Sequence, residues 1–248
     1  VSAPDWLTAR PIAHRGLHDK ARGVIENTPG AALAAVEKAF AIECDVQLSA
    51  DGEAMVFHDF TLERLTESSG DVGARTAAEL SALTMKGTAD RILSLTDFIA
   101  RIGGRTPLVV EIKSRFDGDR RLTKRVAEIV AASSAPIVLK SFDPRVLIAL
   151  RDFAPERTRG IVAMAAYDYP DYASCSAADK HAMANLLHFA DSKPDFLSWR
   201  VGDLPSAAPY LCRTAMGLPL MTWTVRTDAD RARAAAHADQ IVFEGFVP

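Results

Sequence analysis

Residues 41–59 read Ala-Ile-Glu-Cys-Asp-Val-Gln-Leu-Ser-Ala-Asp-Gly-Glu-Ala-Met-Val-Phe-His-Asp. Two short apolar runs flank Asp51-Gly52, a strong two-residue hairpin signal. The strand Ala41–Gln47 is therefore expected to run on, reverse at Asp51-Gly52 and return through Ala54–His58. The register of such a turn sets Asp45 opposite His58. This arm decides the fold, because it removes one strand from a total that is otherwise one too many.

Outward from the arm, seven more short apolar runs read as strands: Pro11–His14, Pro107–Lys113, Pro136–Phe142, Arg159–Met164, Asp195–Val201, Pro219–Val225 and Gln240–Glu244. Most are continuous rather than alternating, as expected of parallel strands covered on both faces. Helical segments lie between them. Pro29–Phe40 has Thr28 as N-cap and Pro29 at its first position, and Thr96–Ile102 stops at Gly103-Gly104. Arg120–Ala132, Pro144–Phe153, Ala177–Ala190, Ala207–Met216 and Asp228–His237 complete the set. Strand-helix alternation argues α/β. With the returning arm set aside, eight parallel strands remain, and 248 residues suit a (β/α)8 TIM barrel of about 250. The expected fold is thus a TIM barrel with a hairpin extension of its second strand. The polar segment at about 60–91 is too long for an ordinary connection. It reads as a small cap-like insertion within a single domain over residues 1–248.

Composition narrows the function. Hydrophobic residues make up 48% of the chain, enough for a large core. The 29 basic and 32 acidic residues give a formal net charge of -3, which excludes nucleic-acid binding by bulk charge. No apolar stretch approaches the roughly 20 residues that cross a bilayer, and Val1–Arg10 has no signal-peptide pattern. Three cysteines, Cys44, Cys175 and Cys212, without metal-like spacing suggest reduced thiols, hence the cytoplasm. A homo-oligomer is compatible with all of this.

Active sites of such barrels lie at the C-terminal strand ends. There the sequence offers His14-Arg15-Gly16, Glu43-Cys44-Asp45, His58-Asp59 and Glu111-Ile112-Lys113. Residues two apart on a strand share a face, so Glu43 pairs with Asp45 and Glu111 with Lys113, while Cys44 turns away. Three carboxylates in an apolar barrel repel one another and need a cation. An all-oxygen set favours one hard divalent ion, Mg2+ or Ca2+. Arg15 and Lys113 suit an anionic phosphate. His14 and His58 read as an acid-base pair, since imidazole titrates near neutral pH. Taken singly these features have plainer readings: a lone Glu-x-Asp is usually a solvated strand edge, and His18, His181, His188 and His237 read as structural.

The ordered set resembles the glycerophosphodiester phosphodiesterase family. It comprises Ile12-Ala13-His14-Arg15-Gly16, Glu26-Asn27-Thr28, Glu43-Cys44-Asp45-Val46, Val56-Phe57-His58-Asp59, Glu111-Ile112-Lys113, Ser141-Phe142-Asp143 and Trp223-Thr224-Val225. The resemblance implies His14 and His58 as catalytic, Glu43, Asp45 and Glu111 as divalent-metal ligands, and Arg15 and Lys113 as phosphate-holding. It also implies that Glu26 orients Arg15 and that Trp223 lines the glycerol side of the pocket. The implied reaction is hydrolysis of glycerophosphodiesters to sn-glycerol 3-phosphate and an alcohol, through water or the glycerol 2-hydroxyl. Two alternatives compete with it: a lysophospholipase D-type enzyme on lipid diesters, and a phosphate-ligand-binding barrel without turnover.

The chain departs from the family pattern at Arg226, where the family often has Asn, at Phe243-Glu244, where it often has Thr-Asp, and at Leu93–Thr96. One feature lies outside the family motifs. Tyr167, Tyr169 and Tyr172 follow a strand and are expected on the active-site face, where they could contact a choline-like cation. The alternative is a packed surface loop.

Overall fold

The computed structural model describes residues 2–248. It contains nine strands: β1 (Ile12–Ala13), β2 (Ala41–Leu48), β3 (Ala54–Val56), β4 (Leu108–Ile112), β5 (Ile137–Ser141), β6 (Arg159–Ala163), β7 (Phe196–Arg200), β8 (Leu220–Val225) and β9 (Gln240–Phe243). All nine expected strands are present, with ends moved by a residue or two. Their order is β1-β9-β8-β7-β6-β5-β4-β2-β3, with β1 also paired to β2. Eight parallel strands therefore close into a (β/α)8 barrel, and β3 is the antiparallel return on β2.

The return is out of the expected register by one residue. Val46 pairs with Val56 and Leu48 with Ala54, and Phe57 N donates to Asp45 O at 3.0 Å, so Phe57 and not His58 lies opposite Asp45. A two-residue turn of the Asp-Gly kind needs positive φ at both central positions. Only Gly52 has it, at +88°. Asp51 is occupied otherwise: its Oδ1 accepts from Ser49 Oγ at 2.6 Å and from Ala77 N at 2.8 Å. The result is a three-residue loop closed by Ser49 N to Glu53 O at 2.9 Å, with the glycine in the left-handed position.

Contacts divide the chain into two compact units. One comprises Ile12–Lys113 and Arg121–Ile137. Its β2 and β4 are in parallel register, with Glu43 beside Val109 and Asp45 beside Glu111. The helix Pro29–Glu37 opens as expected, with Pro29 in its first turn and Thr28 Oγ accepting from Ala31 N at 3.3 Å. The helix Leu95–Ile102 ends on left-handed Gly103. The segment at about 60–91 is polar in composition yet supplies apolar anchors. Leu62, Leu65, Val72, Leu80 and Met85 are buried with Met55 and Phe57 of the returning arm. The helix Ala77–Ala82 within it starts on a capping box formed by Thr76 and Glu79.

The other unit comprises the N-terminal segment ending at Pro11, Ser114–Arg120 and Val138–Pro248. The expected helix Ala177–Ala190 is two helices here, Ala177–Ala184 and Phe189–Ser192. Asn185 Nδ2 donates to His181 O at 2.9 Å and Leu186 turns left-handed, which stops the first helix. His188 therefore sits at the head of the short helix, with Nδ1 2.9 Å from Ser192 Oγ. The helix Trp6–Ala9 was not expected from periodicity; it is a single turn.

A glycine is sterically required directly after the turn that follows β1. Gly16 follows β1 at φ +81°, and a Cβ there would lie 2.8 Å from the Ala31 backbone carbon. Gly16→Ala is expected to cost about 1–3 kcal/mol, through overpacking and a strained backbone. Urea denaturation checks it, and an unchanged midpoint would contradict the close approach.

Candidate active site

Eight of the nine residues singled out from the sequence lie in one unit, and Trp223 lies in the other. Strand register does most of the placing. Glu43 and Asp45 share a face of β2, and Asp45 is the direct neighbour of Glu111 on β4. All three are buried, and one carboxylate oxygen of each lies within 4.8 Å of the other two. Like charges this close in an apolar setting need compensation. Lys113 Nζ donates to Glu111 Oε1 at 3.0 Å and stands 3.6 Å from Asp45 Oδ1. Arg15 donates its backbone N–H to Glu43 Oε2 at 3.0 Å and holds Nε 3.4 Å from Asp45 Oδ2. An all-oxygen trio of this spacing has the donor chemistry of a hard divalent cation.

Arg15 achieves this with a left-handed backbone, φ 55°, a conformation that costs a non-glycine residue energy. Neighbours hold it there. Asn27 N donates to Arg15 O at 2.9 Å, and Arg15 Nη1 donates to Glu26 Oε1 at 2.5 Å. Asn27 also makes a paired contact with Asp45: Nδ2 donates to Oδ2 at 3.0 Å and Oδ1 accepts the Asp45 N–H at 3.2 Å. Burial alone would raise the Asp45 carboxyl. The charges of His58, Lys113 and Arg15 and the Asn27 hydrogen bond outweigh it and hold the group well below the usual carboxylate range.

His14 directly follows β1 and is buried. His58 follows the returning arm and is half-buried; its Nδ1 lies 2.7 Å from Asp59 Oδ1. An imidazole whose Nδ1 faces a carboxylate carries its proton there and leaves Nε2 as the reactive nitrogen. Asp59 and Glu26 also share a third partner, Arg64. The sequence alone assigns no role to Asn27, Asp59 or Arg64. Asn27 and Asp59 were adjacent to residues already singled out. Arg64 carries no local signal, because Glu26 is 38 residues away.

Trp223 packs edge-on against Phe142 with ring centroids 5.3 Å apart, and its Nε1 donates to Ser198 O at 3.0 Å. The same cluster contains Phe116, Tyr167 and Tyr172. Tyr167 is 2% and Tyr172 7% exposed, with centroids 4.8 Å apart, so these two tyrosines are packing residues; Tyr169, at 44%, is exposed and faces Arg200. The two departures at the C-terminal strand ends meet each other: Arg226 Nη2 donates to Glu244 Oε2 at 2.8 Å.

Glu26 supplies a pH test. Burial would raise its carboxyl, but Arg64 and Arg15 together bring it from 4.5 down to about 2. A carboxylate depressed in the folded state stabilises fully above its unfolded pKa, and that contribution fades as pH falls through the folded value. Wild type should therefore lose stability between pH about 4.5 and about 2, and Glu26→Gln should show a shallower acid limb. Denaturation midpoints measured across that window check it; identical limbs would contradict it.

Comparisons with known proteins supply a family and a fold for this chain. Residues 14–242 match the model of the glycerophosphoryl diester phosphodiesterase family. A glycerophosphodiester phosphodiesterase of Caldanaerobacter subterraneus subsp. tengcongensis is 33% identical over 163 residues, which cover 61% of this chain and 65% of that protein, just under two thirds of its length. Among solved structures, a phosphodiesterase of Oleispira antarctica in complex with the product sn-glycerol-3-phosphate superposes with TM-score 0.76 at 21% identity, covering 96% of this chain and 94% of that one. A glycerophosphodiester phosphodiesterase of Parabacteroides distasonis gives TM-score 0.74 at 18% identity, covering 94% and 92%. At these identities the structural likeness speaks for the fold alone, whereas the family match spans nearly the whole sequence. The chain belongs to the glycerophosphoryl diester phosphodiesterase family.

Proposed function

We propose that the chain, acting as one phosphodiesterase domain with the segment at about 60–91 as its cap, hydrolyses glycerophosphodiesters to sn-glycerol 3-phosphate and an alcohol. The observation that carries this reading is the buried trio Glu43, Asp45 and Glu111 with Arg15 and Lys113 ion-paired to it. Family membership supports the substrate class.

Glu43, Asp45 and Glu111 would hold one divalent cation, Mg2+ or Ca2+, which when bound supplies charge neutralisation to the phosphoryl oxygens. Arg15 and Lys113 bind the anionic phosphate and offset the charge that builds on it. Glu26 orients the Arg15 guanidinium. His58, with Nδ1 on Asp59, moves a proton at Nε2, and His14 is its partner. One imidazole takes the proton from the nucleophile, water or the glycerol 2-hydroxyl. The other returns a proton to the leaving alkoxide; where the 2-hydroxyl attacks, water then opens the cyclic phosphate so formed to sn-glycerol 3-phosphate. The odd number of cysteines supports a cytoplasmic setting, and no helix among the described residues is long and apolar enough to cross a membrane.

A panel of glycerophosphodiesters, with lysophosphatidylcholine beside glycerophosphocholine, tests the reading. Glycerol 3-phosphate should appear with Mg2+ or Ca2+ and vanish with chelator. His14→Ala and His58→Ala should each lower turnover by roughly 10²-fold or more. Binding without product would point to a phosphate-ligand barrel, and preference for the lysolipid to the lipid-diester enzyme. Near-normal turnover in either histidine variant would break the acid-base assignment.

A further inference from the structure

Arg64 makes four hydrogen bonds to two carboxylates. Nε and Nη2 donate to Asp59 Oδ2 and Oδ1 at 2.5 and 2.9 Å. Nη1 and Nη2 donate to Glu26 Oε2 and Oε1 at 2.9 and 2.8 Å. Each carboxylate also holds a residue of the proposed chemistry: Asp59 Oδ1 faces His58 Nδ1 at 2.7 Å, and Glu26 Oε1 accepts from Arg15 Nη1 at 2.5 Å. A planar fork that grips two carboxylates at once fixes both orientations, which a single ammonium cannot do. The fork has a fixed base, because Leu62 and Leu65 on either side of it are buried.

We propose that Arg64 is a positioning residue that clamps Asp59 and Glu26 together, so that the His58 tautomer and the Arg15 guanidinium are set by one shared group. The inference rests on the phosphodiesterase reading for the roles of His58 and Arg15. It makes the insertion a working part of the site. Loss of Arg64 leaves Asp59 against His58 and Glu26 against Arg15 but removes the group that ties the two together, so proton transfer and phosphate binding weaken together.

A plainer role would be to anchor the insertion. Lys86 provides the control, because its Nζ donates to Glu63 O at 2.7 Å and so pins the same turn without touching either carboxylate. The experiment measures kcat, KM and thermal midpoint on glycerophosphocholine with Mg2+ for wild type, Arg64→Ala, Arg64→Lys and Lys86→Ala. Arg64→Ala should lose about 10- to 100-fold in kcat, as oriented supporting residues do, with a raised KM. Arg64→Lys should recover only part of this. Added ethylguanidinium should restore turnover to Arg64→Ala and leave Lys86→Ala unaffected. Lys86→Ala should keep kcat within about twofold of wild type. Wild-type kinetics in Arg64→Ala would overturn the inference. So would a Lys86→Ala defect of equal size with no guanidinium rescue of Arg64→Ala. Should wild type itself cleave no diester, the phosphodiesterase reading fails, and 15N NMR of His58 still decides this one. The clamp requires Nδ1–H in wild type and mixed tautomers in Arg64→Ala; identical spectra would overturn it.

Discussion

Three carboxylates buried side by side on two adjacent parallel strands are the constraint around which the site is built. Strand parity puts Glu43 and Asp45 on one face, and parallel register puts Glu111 beside Asp45. Taking such charges out of water is costly unless each is matched by donors or cations. The chain supplies both. Lys113 comes from the same strand run as Glu111, Arg15 from a left-handed turn after β1, and Asn27 from the entry to the next helix. Gly16 lets that turn lie against Ala31. Each of these features is local and unusual, and each makes sense as compensation for the acids.

Rigid strands thus fix the acids, while loops bring the groups that would touch substrate, the usual division of labour on barrel scaffolds. The returning arm is an intermediate case. It is pinned along Val46–Leu48 by antiparallel pairing and covered by the apolar anchors of the insertion, so His58 leaves it from a well-packed base. In the other unit, Trp223, Phe142, Phe116 and Tyr172 form a continuous run of tilted and edge-on aromatic contacts. Such packing gives a stiff apolar wall without charge.

Much of this was legible in the sequence, for physical reasons. Strands covered on both faces leave uninterrupted apolar runs, so all nine were visible. Caps such as Thr28-Pro29 and Gly103 are local chemistry and mark their helices directly. Register was not legible, because the loop after Leu48 depends on Asp51 accepting from Ala77, which comes from distant chain. The break after Ala184 depends on one side chain, Asn185, capping a helix whose composition would have let it continue. In the site, the grouping of the acids was legible because strand parity sets Glu43 with Asp45, and the neighbouring strand brings Glu111 beside them. Arg64 was not, because nothing in an exposed-looking polar segment reveals that its guanidinium reaches Glu26 and Asp59. The tyrosine loop was ambiguous for a similar reason: burial of Tyr167 and Tyr172 is a tertiary fact.

On the proposed reading, Glu43, Asp45 and Glu111 together form one cation site. Calorimetric titration of metal-stripped protein with Mg2+ and with Ca2+, for wild type and Asp45→Asn, tests it most directly. One ion should bind per wild-type chain, and that binding should be lost in the variant with the fold intact by circular dichroism. Equal binding by both proteins, or no binding by wild type, would contradict it.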